Sequence, residues 1–148
     1  PDLTGLSISD VATATSITLA ADTISVINYT GAAAATCTLP AATAGTIVVY
    51  CQSKDTTGGT ATLVFDAAGS DVWATGSVIE SRASNEVTFD TSAASETKLT
   101  FTPANAATNL LTTGGQIAFI CYEDATWHIA TKLAAETTQV TGAFVFAA

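Results

Sequence analysis

The 148-residue chain has no Met, one His, 3 Pro, 3 Cys and only 4 Lys+Arg. Each shortage removes a class of function. Nucleic-acid binding relies on clustered Lys and Arg that release counterions from phosphates, and Lys54, Arg82, Lys98 and Lys132 are scattered along the chain. The same deficit argues against docking on an anionic membrane. No apolar run reaches the roughly 18 residues of a spanning helix, and no basic-then-apolar leader opens the chain. With Pro1 first and Met absent, the expectation is cytoplasmic synthesis, removal of an initiator Met and no export. Cys37, Cys51 and Cys121 form no CxxC and no Cys/His pair, so a zinc site is not expected. Each lies in an apolar run, where a reduced, buried thiol is expected.

What remains is apolar, acidic and dominated by two residue types. Hydrophobic residues make up 48% and charged ones 11%, with 13 Asp+Glu giving a net charge of −9. Alanine (29) and threonine (28) together account for about 39% of the chain. The length suits one domain with a real core, and the sparse charge separates the chain from disordered acidic tails. Thr and Gly interrupt the Ala-rich stretches, and no sustained apolar stripe of helical period occurs, so helix is disfavoured.

Period-two segments recur instead. Ser16-Ile17-Thr18-Leu19, Ile24-Ser25-Val26, Thr36-Cys37-Thr38-Leu39, Val87-Thr88-Phe89 and Lys98-Leu99-Thr100-Phe101-Thr102 alternate, as half-buried strands with threonine on the wet face do. Ile47-Val48-Val49-Tyr50-Cys51 and Ile117 to Tyr122 are continuously apolar and predict central strands covered on both faces. Turn residues at 55–59, 67–71, 112–115 and 123–126 divide the runs, the last closing a hairpin onto Trp127-His128-Ile129. The expected fold is all-β, a single antiparallel β-sandwich or jelly-roll-like barrel spanning 16–133. Residues 1–15, carrying Leu3 and Leu6, read as an N-terminal arm. Residues 134–148 read as a linker followed by an apolar segment with Val140, Phe144, Val145 and Phe146. Left exposed, that segment would be an aggregation hazard, so the readings are a last strand in its own sheet, a segment pairing with a neighbouring subunit, or a frayed tail.

Catalytic groups are few. His128 is the sole imidazole and sits within a strand, where a structural role outweighs that of a general base. No GxSxG elbow is present. Asp66 with Asp71, and Glu123 with Asp124, read as solvated turns more readily than as a hydrolytic pair. The stretch from Asp66 to Asp71 lacks the alternating ligands and closing Glu of a calcium loop. Gly58-Gly59 and Gly114-Gly115 lack the Lys and helix of a phosphate loop. No enzyme and no cofactor are expected. Trp73, in a loop-like stretch, and Trp127 read as core or interface residues ahead of sugar platforms.

Two stretches carry a family resemblance. Thr36-Cys37-Thr38-Leu39-Pro40-Ala41-Ala42-Thr43-Ala44-Gly45-Thr46-Ile47-Val48-Val49 resembles a segment of tailed-phage virion proteins, among them head decoration (cement) proteins and tail-fibre heads. There, Leu-Pro ends one strand and Gly turns into the next. Gly114 to Ile120 and Ala125-Thr126-Trp127-His128-Ile129-Ala130 are similar to their closing hairpin, with Ala-Thr where Gly-Thr or Asn-Gly is common before the Trp. Together they cover about a third of the chain. The chain lacks the long shaft of a fibre, so the resemblance implies a capsid decoration subunit on the virion surface. Such a subunit binds the assembled major capsid protein and stabilises it, as a homotrimer reaching the shell with terminal arms. The interface candidates are then Leu3, Leu6, Trp73, Val140, Phe144, Val145 and Phe146. The alternative is a tail-fibre head or a carbohydrate- or receptor-binding β module, with Trp73 as the sugar contact.

Overall fold

This computed structural model describes residues 16–54, 56, 61–83, 86–102, 110–111, 114–133, 136–137 and 144–148. Every regular element among them is a strand. A first five-stranded sheet contains, in spatial order, β1 (Ile17–Thr18), β3 (Ala35–Thr38), β5 (Leu63–Asp66), β9 (Lys98–Phe101) and β14 (Phe144–Ala147). A second contains β2 (Thr23–Ile27), β4 (Ile47–Gln52), β11 (Gln116–Glu123), β12 (Thr126–Leu133) and β6 (Val72–Trp73). The hairpin β7 (Val78–Ala83) with β8 (Glu86–Thr91) and the short pair β10 (Leu110–Leu111) with β13 (Glu136–Thr137) complete the strands. Among the described residues both large sheets keep two edges, so no barrel closes.

From β1 to β6 the chain changes sheet at every step. Strands two apart in sequence therefore run the same way, and β1–β3, β3–β5 and β2–β4 pair in parallel, as does β6 with β12. Both large sheets are thus mixed, since β4–β11, β11–β12, β5–β9 and β9–β14 pair antiparallel, and the expected purely antiparallel arrangement holds only in part. Period-two alternation reports which face a residue occupies and carries no information on the direction of the neighbouring strand.

The alternation builds the core. Cys37, Leu63, Phe65, Leu99 and Phe101 turn inward from the first sheet, and Val48, Tyr50, Ile117, Phe119 and Cys121 from the second. Rings join the two layers: Tyr50 meets Phe65 edge-on at 5.1 Å, and Phe65 meets Phe119 at 5.1 Å. Trp73 packs against Phe119 at 5.5 Å and Phe146 at 5.7 Å. Aromatic pairs at these separations add about 0.5–1.5 kcal/mol beyond their burial. Trp73 thus belongs to strand β6 and the core, and the loop reading of its surroundings is corrected. A two-residue strand is too short to leave a periodic signal.

The C-terminal segment resolves the choice left open by its composition. β14 pairs antiparallel with β9 of the same chain, Phe144 opposite Phe101 and Phe146 opposite Leu99. Phe144 and Phe146 are buried while Val145 between them is 45% exposed. The outer edge of β14 is covered by the β7–β8 hairpin, where the Asp90 carboxylate accepts the Phe146 N–H at 2.6 Å. A polar side chain set against an edge in this way hinders further strand pairing. Within the expected linker and C-terminal segment at 134–148, β13 pairs with β10 and β14 with β9. The expected arm at 1–15 lies outside the described residues.

One polar side chain crosses the core. Gln52 is 1% exposed and its Nε2 donates to Tyr29 O at 2.7 Å and Lys54 O at 2.5 Å. Its Oε1 accepts the Tyr50 hydroxyl, while the Tyr29 hydroxyl donates to Ala61 O. These bonds tie the end of β4 to the segments after β2 and before β5.

Candidate functional site

The two stretches that carry the resemblance meet at one end of the molecule. After β3, Leu39-Pro40 leaves the sheet and Gly45, at φ 92°, turns the chain into β4, a conformation glycine adopts without a Cβ penalty. Gly45 N–H donates to Cys121 O at 2.8 Å, and Cys121 N–H donates to Thr46 O at 2.9 Å. The tight turn between β11 and β12 returns the contact, with Ala125 N–H donating to Ala42 O at 2.9 Å. Two carboxylates fasten the same loop: Asp124 Oδ1 accepts Ala44 N–H at 2.9 Å and Asp71 Oδ2 accepts Ala42 N–H at 2.7 Å. Asp71 and Asp124 are thus backbone acceptors that fix loop geometry. No group of three metal-ligating side chains occurs among the described residues.

The outer face of the second sheet is the larger feature. Ile24 stands opposite Val49, and Val49 opposite Ala118. Val26 stands opposite Cys51, and Ile47 opposite Ile120. All seven are half-buried and alternate with core residues. Sequence alone expected these strands to be covered on both sides, and the residues of this face are half-buried where their strand neighbours are enclosed. A continuous apolar run gives the same signal in either case. No ionisable carboxylate, ammonium or guanidinium stands in these rows, on a chain carrying −9. Three strands about 4.8 Å apart and five residues at about 3.3 Å each make a patch of roughly 250 Å².

At the opposite edge of that sheet, β6 and β12 border an open cleft of about 380 Å³. Its walls include Trp73, Thr75, Ser95, Glu123, Thr126 and His128. The His128 ring rests edge-on against Tyr122 at 4.9 Å. Trp73 Nε1 and His128 Nε2 are withdrawn from solvent and have no hydrogen-bond partner. Sequence reasoning weighed Trp73 and His128 separately. Both border the cleft because β6 pairs in parallel with β12, which no local motif announces.

The interface residues expected from sequence therefore separate. Trp73, Phe144 and Phe146 are core residues, and Val145 is exposed. Leu3, Leu6 and Val140 lie outside the described residues. The thiols are all free, with Cys37 and Cys121 buried. Burial pushes the Cys37 thiol and the Tyr29 hydroxyl each up to about 12, from ordinary values of 9.0 and 10.0, and raises the Tyr50 hydroxyl well above its ordinary value. Below pH 9 both folded and unfolded chains hold these protons and stability is unaffected. Between about 9 and 12 only the unfolded chain ionises, which favours unfolding. The midpoint of urea denaturation is expected to stay level from pH 7 to about 8.5 and to fall steadily above 9. A level midpoint through pH 11 would contradict the burial of these groups.

No family model, curated protein or solved structure matches the chain.

Proposed function

We propose that the chain is a structural virion protein, a capsid decoration subunit that binds the assembled major capsid lattice and stabilises it. The observation that carries this reading is the charge-free apolar face of Ile24, Val26, Ile47, Val49, Cys51, Ala118 and Ile120. It offers attachment without ion pairing on a chain whose net charge is −9. The two stretches resembling phage virion proteins support it from sequence, and the sheet that carries the face is built from their strands β4, β11 and β12. Two five-stranded sheets joined through a shared aromatic core support the sandwich-like architecture the resemblance implies.

The size of the face sets the mode of binding. A patch of roughly 250 Å² falls short of the about 800 Å² per partner of a standard interface, so one copy holds weakly. A homotrimer presenting three such faces to a repeating lattice adds them through effective concentration. A subunit that binds only the assembled shell then stabilises it by mass action at every occupied position.

Val49→Asp places a carboxylate at the centre of the face without disturbing the core side of β4. Co-sedimentation with expanded capsids prepared without the protein is expected to weaken at least about tenfold, with the unfolding midpoint nearly unchanged. Full occupancy by a folded Val49→Asp protein would overturn the assignment of this face.

A further inference from the structure

We propose that the open edge of β2 is a strand-acceptor site, filled by residues 5–9 of the same chain as a sixth strand of the second sheet, parallel to β2. The edges of the two large sheets are not alike. β1 and β6 have two residues each, and the outer edge of β14 lies under the β7–β8 hairpin, with Asp90 on Phe146 N–H. β2 is a five-residue edge, Thr23–Ile27, with no Pro and no charged side chain in it. Asp22 beside it leaves the edge unguarded, because its Oδ1 accepts Ile47 N–H at 3.1 Å and the carboxylate is turned toward β4. Natural sheets pair, cover or blunt such an edge. The ladder fixes which groups β2 offers. Ser53 N–H donates to Ile27 O at 2.8 Å, while Gln52 bonds the other side of β4, its N–H donating to Gly115 O and its carbonyl accepting Gly114 N–H, each at 2.8 Å. In a parallel pair alternate residues turn both N–H and C=O to the same neighbour. Thr23, Ser25 and Ile27 therefore bond β4. Ile24 and Val26 hold two N–H and two C=O groups toward the open side, where no described strand pairs with them.

The weave of the chain selects the occupant. From β1 to β6 each strand lies in the sheet opposite to its predecessor, and β1–β3, β2–β4 and β3–β5 pair in parallel. Carried one step back, the same rule puts the segment before β1 in the second sheet, beside β2 and running with it. Seven residues, 28–34, separate β2 from β3. The same spacing before Ile17 takes up 10–16 and ends a strand at Ser9. Five residues then give Gly5-Leu6-Ser7-Ile8-Ser9, which alternates as Ile24-Ser25-Val26 does. Reach allows it, since seven extended residues span about 23 Å and packed sheets lie about 10 Å apart. Residues 2–15 contain no Pro, Lys or Arg, so every N–H from 5 to 9 can donate to the edge. Docked there, the segment seals β2 against strand addition by other chains. It also broadens by one strand the sheet that carries the apolar face.

The test is nuclear magnetic resonance of the isotopically labelled full chain, free of particles. Amide exchange at Ile24 and Val26 is expected to be at least about tenfold slower than in Ile8→Pro, where the docking segment loses an N–H and fits a sheet poorly. Val48 and Phe119 amides, inside the sheet, are expected to exchange alike in both proteins and so report that the variant is folded. In the unaltered chain, nuclear Overhauser contacts of the parallel pattern are expected between residues 5–9 and 23–27. A mixture of labelled and unlabelled chains is expected to show none of them between molecules. Should Ile8→Pro fail to fold, these contacts decide alone. Equal exchange at Ile24 and Val26 in the folded variant, or absence of the contacts, overturns the proposal. So do contacts found between labelled and unlabelled chains, which mark a segment exchanged between copies, and contacts of the antiparallel pattern. Because no capsid enters the measurement, its outcome is independent of the attachment reading.

Discussion

Deleting residues 144–148 is expected to unfold the protein. Phe144 and Phe146 are 1% and 5% exposed, and truncating a buried Phe costs about 3–5 kcal/mol. Losing both approaches about 6–10 kcal/mol, against a total stability of about 5–15 kcal/mol for a domain. The deletion also strips β9 of its antiparallel partner from Lys98 to Phe101. Circular dichroism during urea denaturation reads the result: the expected outcome is loss of the cooperative transition, or a midpoint displaced far toward zero denaturant. Val145→Asp is the matched control, since Val145 points away from the core, and it is expected to change stability by no more than about 0.5 kcal/mol. A truncated chain unfolding at the full-length midpoint would return the segment to the role of a dispensable arm.

Gln52→Leu is expected to destabilise by on the order of 3 kcal/mol, because it leaves buried partners behind and opens no cavity. The leucine fills similar volume, while the Tyr50 hydroxyl loses its acceptor and Tyr29 O and Lys54 O lose a donor. A buried polar group left unpaired costs about 1–3 kcal/mol, and at least Tyr50 and Tyr29, each 1% exposed, are cut off from water. Gln52→Glu provides a second reading. It keeps the acceptor for Tyr50 and removes the donor, so at neutral pH it is expected to be destabilised as well. Wild-type stability in Gln52→Leu would mean that the network is not formed in solution.

Strand positions were legible where side chains alternate or run continuously apolar. Thr36 to Thr38, Ile47 to Cys51, Lys98 to Phe101 and Ile117 to Tyr122 all fall on strands, and the turn before Trp127 closes the expected hairpin. Direction was not legible, because a parallel and an antiparallel neighbour place the same residues inward. For the same reason Val49 and Ile120, inside uniformly apolar runs, gave no sign that they would be half-buried while their strand neighbours Val48 and Phe119 are enclosed. Phe144 and Phe146 carried the correct pattern for a strand, and only the pairing with β9 decides which chain supplies the partner. The cleft was the least legible feature, assembled from segments around Trp73, Ser95 and Thr126 that share no motif.

The alternate passage of the chain between sheets has a consequence for how the molecule forms. β11 and β12 join through a tight turn, and such hairpins close in about 1–10 μs. The parallel partners wait longer: Ile17 must find Cys37, Thr23 must find Val48, and Ala35 must find Leu63, each twenty or more residues away. Chains dominated by such distant pairings fold in milliseconds to seconds. Throughout that interval β9 presents a bare edge until β14 arrives, and with it a row of groups ready to pair with another chain. The carboxylate of Asp90, set against Phe146 N–H, closes that window from outside once the last strand has docked.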